Sequence, residues 1–111
     1  MKLFKAIAVA AVISTAFISA SPAYARCRVD GVSKPSQRNA QFTVTNNRNR
    51  AANLVWIAFD GTRELYASIG SGETFTQPTY TNHLWLIKEK GTGRCLTLIR
   101  LGTTSQQLTI R

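Results

Sequence analysis

Side chains that do chemistry are scarce in this sequence. Its 111 residues include a single histidine, His83, two cysteines and five acidic residues. One histidine and two cysteines cannot assemble a typical zinc centre, and the scattered acids show no spacing suited to a paired-carboxylate mechanism. Gly91-Thr92-Gly93 is too short for a phosphate-binding loop and no helical pattern follows it. A Thr79 and His83 nucleophile pair would lack both a third orienting group and an oxyanion donor. These absences point away from an enzyme, and neither a metal nor a cofactor is expected. Also missing are an internal repeat, a low-complexity tract, a sustained helical stripe and an apolar run of the ~20 residues that a membrane span needs.

What is present begins with an export signature. Met1, Lys2 and Lys5 form a basic head, Ala6 to Ile18 an apolar run, and Ala23-Tyr24-Ala25 puts small residues where a signal peptidase reads. Residues 1–25 are read as a signal peptide, and the protein as exported to the periplasm or the extracellular space. Arg26 separates Ala25 from Cys27, which does not suit a lipoprotein. Residues 26–111 form one domain with a modest core, in which twelve basic residues against five acidic ones leave a net charge of +7. In an oxidising compartment Cys27 and Cys95 are expected as a disulfide, two unpaired thiols being the alternative. The bond would close a loop of 68 residues, worth about 4 kcal/mol in the chain-entropy model.

The exported part alternates with period two, which predicts an all-β fold, a small sandwich of about seven antiparallel strands. Phe42 and Val44 alternate with Gln41, Thr43 and Thr45 in a first strand, and Asn46 to Arg50 is a polar turn. Leu54 to Phe59 is apolar without alternation, as in a strand buried on both faces, and Asp60-Gly61 closes it with a hairpin turn. Strands follow at Arg63 to Ile69 and Glu73 to Thr79, with Pro78 marking an edge or bend. His83 to Lys88 is the next, and its parity puts His83, Trp85 and Ile87 on one face and Leu84 and Leu86 on the other. Arg94 to Leu101 and Gln106 to Arg111 complete the set.

The stretch Val55-Trp56-Ile57-Ala58-Phe59-Asp60-Gly61, then Tyr66, Gly72 and His83-Leu84-Trp85-Leu86, resembles the β domain of the von Hippel-Lindau tumour suppressor. The family pattern reads VWLNFDG, then Y, then HLWLF, and the intervals agree without a gap from Trp56 through Trp85. The resemblance weakens after Ile87. It implies a β-sandwich whose pocket receives a hydroxylated proline of an extended peptide. Trp56 stands where the family tryptophan packs against the pyrrolidine ring, and Tyr66 where a tyrosine hydroxyl bonds the peptide backbone. His83 stands where a histidine, with a serine, bonds the 4-hydroxyl, and Trp85 where the second aromatic wall lies. At the serine position this chain has Thr79, which keeps the hydroxyl and adds a methyl. Ala58 replaces the family asparagine, and neither cysteine has a counterpart in the family β domain. The family's helical adaptor-binding domain has no counterpart either, so no ubiquitin-ligase adaptor is expected as a partner.

The implied function is a secreted binding module with an aromatic pocket for an extended peptide, one that reads a 4-hydroxyproline. Two alternatives stand beside it. Trp56, Trp85 and Tyr66 are also what an ordinary core would contain, in a purely structural or interaction domain. Arg48, Arg50, Lys88, Lys90, Arg94 and Arg100 could instead form a basic surface for an acidic polysaccharide, nucleic acid or an anionic membrane.

Overall fold

The computed structural model describes Cys27 and residues 29–111; the expected signal peptide lies outside the described residues. Seven strands and no helix are found among them. We number them β1 (Asn39–Asn46), β2 (Ala52–Ile57), β3 (Arg63–Ile69), β4 (Thr74–Tyr80), β5 (Leu84–Glu89), β6 (Cys95–Arg100) and β7 (Gln106–Ile110). They form a three-stranded sheet in the order β4-β1-β7 and a four-stranded sheet in the order β3-β2-β5-β6. Accordingly, no helix among the described residues is long and apolar enough to cross a membrane.

The inner faces of the two sheets meet in one apolar layer. Phe42 and Val44 of β1 pack with Leu54 of β2 and with Trp85 and Ile87 of β5, and the Phe42 and Trp85 rings meet edge-on at 5.5 Å. Burying each such side chain contributes about 1.5–3 kcal/mol. Strand β1 alternates because its outer face is solvated, where Thr43 and Thr45 pair their hydroxyls with Thr76 and Thr74 of β4.

The four-stranded sheet is covered on both faces, which explains the unbroken apolar runs of β2 and β5. Its outer face carries Val55, Ile57, Leu84 and Leu86, and Val29 and Val32 of the N-terminal segment pack over them. Buried Ser33 pins that segment: its Oγ accepts the Leu84 amide at 2.7 Å, and its own amide donates to the Ile57 carbonyl at 3.3 Å. A disulfide between Cys27 and Cys95, with Cα atoms 5.9 Å apart, ties the start of the segment to β6. Such a cross-link offsets the limited core available to a domain this small.

Four of the five strand pairings are antiparallel; β1 and β7 pair in parallel, Phe42 with Gln106 through Asn46 with Ile110. A hairpin would force antiparallel pairing. After β6, however, the chain leaves the four-stranded sheet and crosses to the other, so β7 is free of that constraint. At the end of β1 the fully buried Asn46 side chain closes the loop to β2, its amide donating to the carbonyls of Arg50, Ile69 and Gly70 at 2.9 to 3.1 Å.

Candidate functional site

One edge of the sandwich is left open between β3, which ends one sheet, and β4, which ends the other. Trp56 and Trp85 project inward here because they share the parity of Leu54 and Ile87, and they face each other across the β2–β5 pair. From the opposite sheet comes Thr79 on β4. The connection from β4 to β5 is only Thr81, Asn82 and His83, and it turns tightly because Asn82 takes a φ of 68°, a region asparagine tolerates better than most residues. Thr79 and His83 are thereby brought together from the two sheets.

Those side chains share one hydrogen-bond relay. The Trp85 indole N–H donates to Thr79 Oγ1 at 3.1 Å, and the Thr79 hydroxyl lies 3.4 Å from His83 Nδ1. The Trp56 indole N–H donates to the same Nδ1 at 3.2 Å. An indole N–H is only a donor, so Nδ1 must carry its lone pair and the proton of a neutral imidazole sits on Nε2. Burial lowers the His83 pKa from the ordinary 6.5, which favours the same neutral form. Nε2 is neither sealed nor hydrogen-bonded among the described residues, so its N–H remains available. The Thr79 oxygen, after accepting from Trp85, still has a lone pair to offer. His83 and Thr79 thus give the cavity one fixed donor and one adaptable donor-acceptor.

Around this polar pair the walls are aromatic. Trp56, Phe59, Tyr66, Tyr80 and Trp85 surround a cavity of roughly 310 Å³, completed by Ser36, Gln77 and Pro78. The His83 ring lies 5.4 to 5.5 Å from those of Trp56, Phe59 and Tyr80. Tyr66 reaches the cavity because of a β-bulge: β2 pairs Leu54 with Ala67 but Val55 with Leu65, leaving Tyr66 as the extra residue. Strict alternation from inward Ala67 would aim it away, and a bulge is the usual device for re-aiming a side chain. Its ring stands 4.9 Å from Trp85 and 6.2 Å from Trp56.

All five residues singled out in the sequence, Trp56, Tyr66, Thr79, His83 and Trp85, thus line a single cavity. They do not all contribute alike. Trp85, at 2% exposed, lines the cavity from its buried side. Trp56 is half-buried, His83 shows 8% of its surface, and Tyr66, at 52%, stands on the rim. Sequence reasoning missed Phe59 and Tyr80, which extend that rim and are exposed. Their signal was position: Phe59 directly precedes the Asp60-Gly61 turn, and Tyr80 directly follows Thr79. Asp60 itself shapes the hairpin, accepting the Thr62 amide at 2.9 Å, and hydrogen bonds from Thr62 hold its pKa below the ordinary carboxylate value.

Four of the six residues weighed as a basic surface have partners within the protein. Arg48, Arg50 and Arg94 all pair with Glu89, and Arg100 donates to the carbonyls of Asn82 and Val32. No cluster of three or more His, Cys, Asp or Glu side chains that could hold a metal occurs among the described residues.

Comparison with known proteins gives one family. The model of the VHL beta domain matches residues 32–100, a span that holds every strand except β7. No curated protein matches the chain significantly.

Proposed function

The chain belongs to the VHL beta domain family, and from that premise we propose that it is an exported reader of extended peptides whose cavity recognises a 4-hydroxyproline. VHL beta domains are peptide-binding modules and not catalysts. The observation that carries the finer reading is the relay: the Trp56 indole N–H bonds His83 Nδ1, and Thr79, itself held by the Trp85 indole N–H, lies against the same nitrogen, which leaves a neutral imidazole with its proton on Nε2 in an aromatic cavity. A proline ring offers flat apolar surface to Trp56, and its 4-hydroxyl matches one donor and one acceptor. Proline lacking that hydroxyl would leave the His83 Nε2–H desolvated and unpaired, a cost of about 1–3 kcal/mol.

Two features favour an extended peptide over a free amino acid. The cavity lies along the exposed edge of β4, where backbone pairing is the usual mode of peptide capture. Tyr66 also stands on the rim, and an exposed phenol there supports a contact with peptide backbone beyond the bound ring. The Cys27–Cys95 disulfide supports an oxidising, exported setting.

Titration of Trp56 fluorescence with a hydroxyproline peptide tests this reading. His83→Ala should weaken the hydroxylated peptide by about 5- to 150-fold and leave its proline counterpart nearly unaffected. Equal losses for both peptides would mean that His83 only supports the fold.

A further inference from the structure

The far end of the four-stranded sheet carries a second polar feature that the peptide cavity does not use. Glu89, the last residue of β5 and only 4% exposed, receives Arg48 and Arg94 on Oε1 and Arg50 on Oε2. Burial pushes its pKa up, but the charge and hydrogen bond of Arg94, with the charge of Arg48, pull it lower than the ordinary value. It is a carboxylate, and a single negative charge is left among three guanidinium groups. Arg50 and Arg94 are more than half exposed, at 61% and 56%. Each keeps N–H donors that Glu89 does not use. Like charges gathered this closely repel one another, and a further anion relieves that repulsion.

Two cavities meet at this cluster. Arg48, Arg50 and Arg94 line one of roughly 450 Å³, and Arg63 and Lys88 line another of roughly 450 Å³. Glu89 and Thr92 belong to both, so the pair forms one trough with five cationic side chains and one acidic. Among the described residues just two buried side-chain polar atoms lack a hydrogen-bond partner, Arg48 Nε and Asn53 Oδ1. One lies in each half of the trough. Unsatisfied buried groups are rare and call for a reason. Both atoms are sealed beneath the surface, so they mark the two halves as places where the protein's own hydrogen bonding is incomplete.

We propose that this trough binds a polysaccharide carrying carboxylate or sulfate groups along its length. Two joined cavities suit a chain better than a single small anion. No aromatic ring lines either half, so nucleic-acid bases would find no stacking platform. The amides of Asn49 and Asn53 and the hydroxyl of Thr92 suit sugar hydroxyls. A concave trough also fits a flexible strand better than the flat surface of a membrane. The peptide cavity shares no lining residue with either half of the trough, so the two sites bind independently.

The test is calorimetric titration of the full exported chain with polygalacturonate and with dextran sulfate, neutral dextran serving as control. Wild-type protein should bind one or both charged polymers, less tightly as salt rises. Arg50→Ala/Arg94→Ala and Arg63→Ala/Lys88→Ala should each weaken binding at least about tenfold, since each removes two charge-assisted contacts. Lys34→Ala/Arg38→Ala removes the same charge from exposed positions outside the trough and should change affinity less than about twofold. Equal weakening by all three pairs would reduce the effect to net charge and overturn the site. Absence of binding, or tighter binding to single-stranded DNA or to phosphatidylglycerol vesicles, would overturn the ligand. Circular dichroism of each variant separates loss of binding from loss of fold.

Discussion

Replacing Thr79 by Val isolates the hydroxyl on which the relay turns. The exchange keeps shape and volume close while removing the only acceptor of the Trp85 indole N–H, now 3.1 Å away. Trp85 is 2% exposed, so water cannot substitute, and a buried donor left without a partner costs about 1–3 kcal/mol. The contact to His83 is longer, at 3.4 Å, and shares Nδ1 with Trp56, so its loss adds little. With a urea m-value of about 1–1.5 kcal/mol/M for a small domain, the unfolding midpoint should fall by roughly 1–2 M. Thr79→Ser keeps the oxygen and loses a methyl, costing about 0.5–1.5 kcal/mol. The two variants part most sharply in two other readouts. In Thr79→Val the Trp85 Nε1 proton should move upfield and exchange faster, and preference for the hydroxylated peptide should vanish; Thr79→Ser should keep both. An unchanged midpoint together with an unshifted Trp85 resonance in Thr79→Val would refute the relay.

Other expectations follow from the same structure. Cys27→Ser/Cys95→Ser removes a cross-link spanning 68 residues and should cost about 4 kcal/mol, lowering the melting temperature by roughly 16–30 °C in calorimetry; a loss below about 1 kcal/mol would contradict the clamp. Because burial lowers the His83 pKa from 6.5, the unfolded chain holds more protons than the folded one between the two values, so stability rises with pH in that window. The His83 contribution is complete above 6.5 and is lost as pH falls toward the lower folded value. Affinity for a hydroxyproline peptide should fall in the same acid range, since protonation at Nδ1 breaks the Trp56 bond, and a flat profile from pH 7 to pH 4 would count against it. Glu89, with its pKa held below the ordinary 4.5, contributes stability that is present above that value and lost as pH falls through the depressed one. Glu89→Gln should therefore lower stability at neutral pH and flatten the acid limb of an unfolding series; an unchanged acid limb would show that the three arginines do not depend on it.

Much of this fold is legible from turns and parity. Asp60-Gly61 turns the chain from β2 into β3 as expected, and alternation from His83 to Ile87 correctly separates a core face from an outer one. The missing parts are those where one chain position answers to a distant partner. The covering of Val55, Ile57, Leu84 and Leu86 by Val29 and Val32 has no local signal, although the apolar runs announced that something must cover them. The bulge that turns Tyr66 toward Trp85 reverses what alternation implies, because register is decided by pairing with β2 and not by β3 alone. The parallel partner of β7 depends on a crossover between sheets that composition does not encode. Arg48, Arg50 and Arg94 read as a dispersed basic surface, since nothing nearby in the chain reveals their common counter-ion, Glu89.

The most direct test is the ratio of dissociation constants for two peptides that differ only in the 4-hydroxyl of one proline, measured by calorimetry at neutral pH on the wild-type protein. A neutral imidazole N–H and a threonine oxygen waiting in an aromatic cavity predict a preference for the hydroxylated peptide of about 5- to 150-fold. A ratio near one, with both peptides binding, would contradict the hydroxyl-reading role and leave an aromatic cleft that accepts proline rings without distinction.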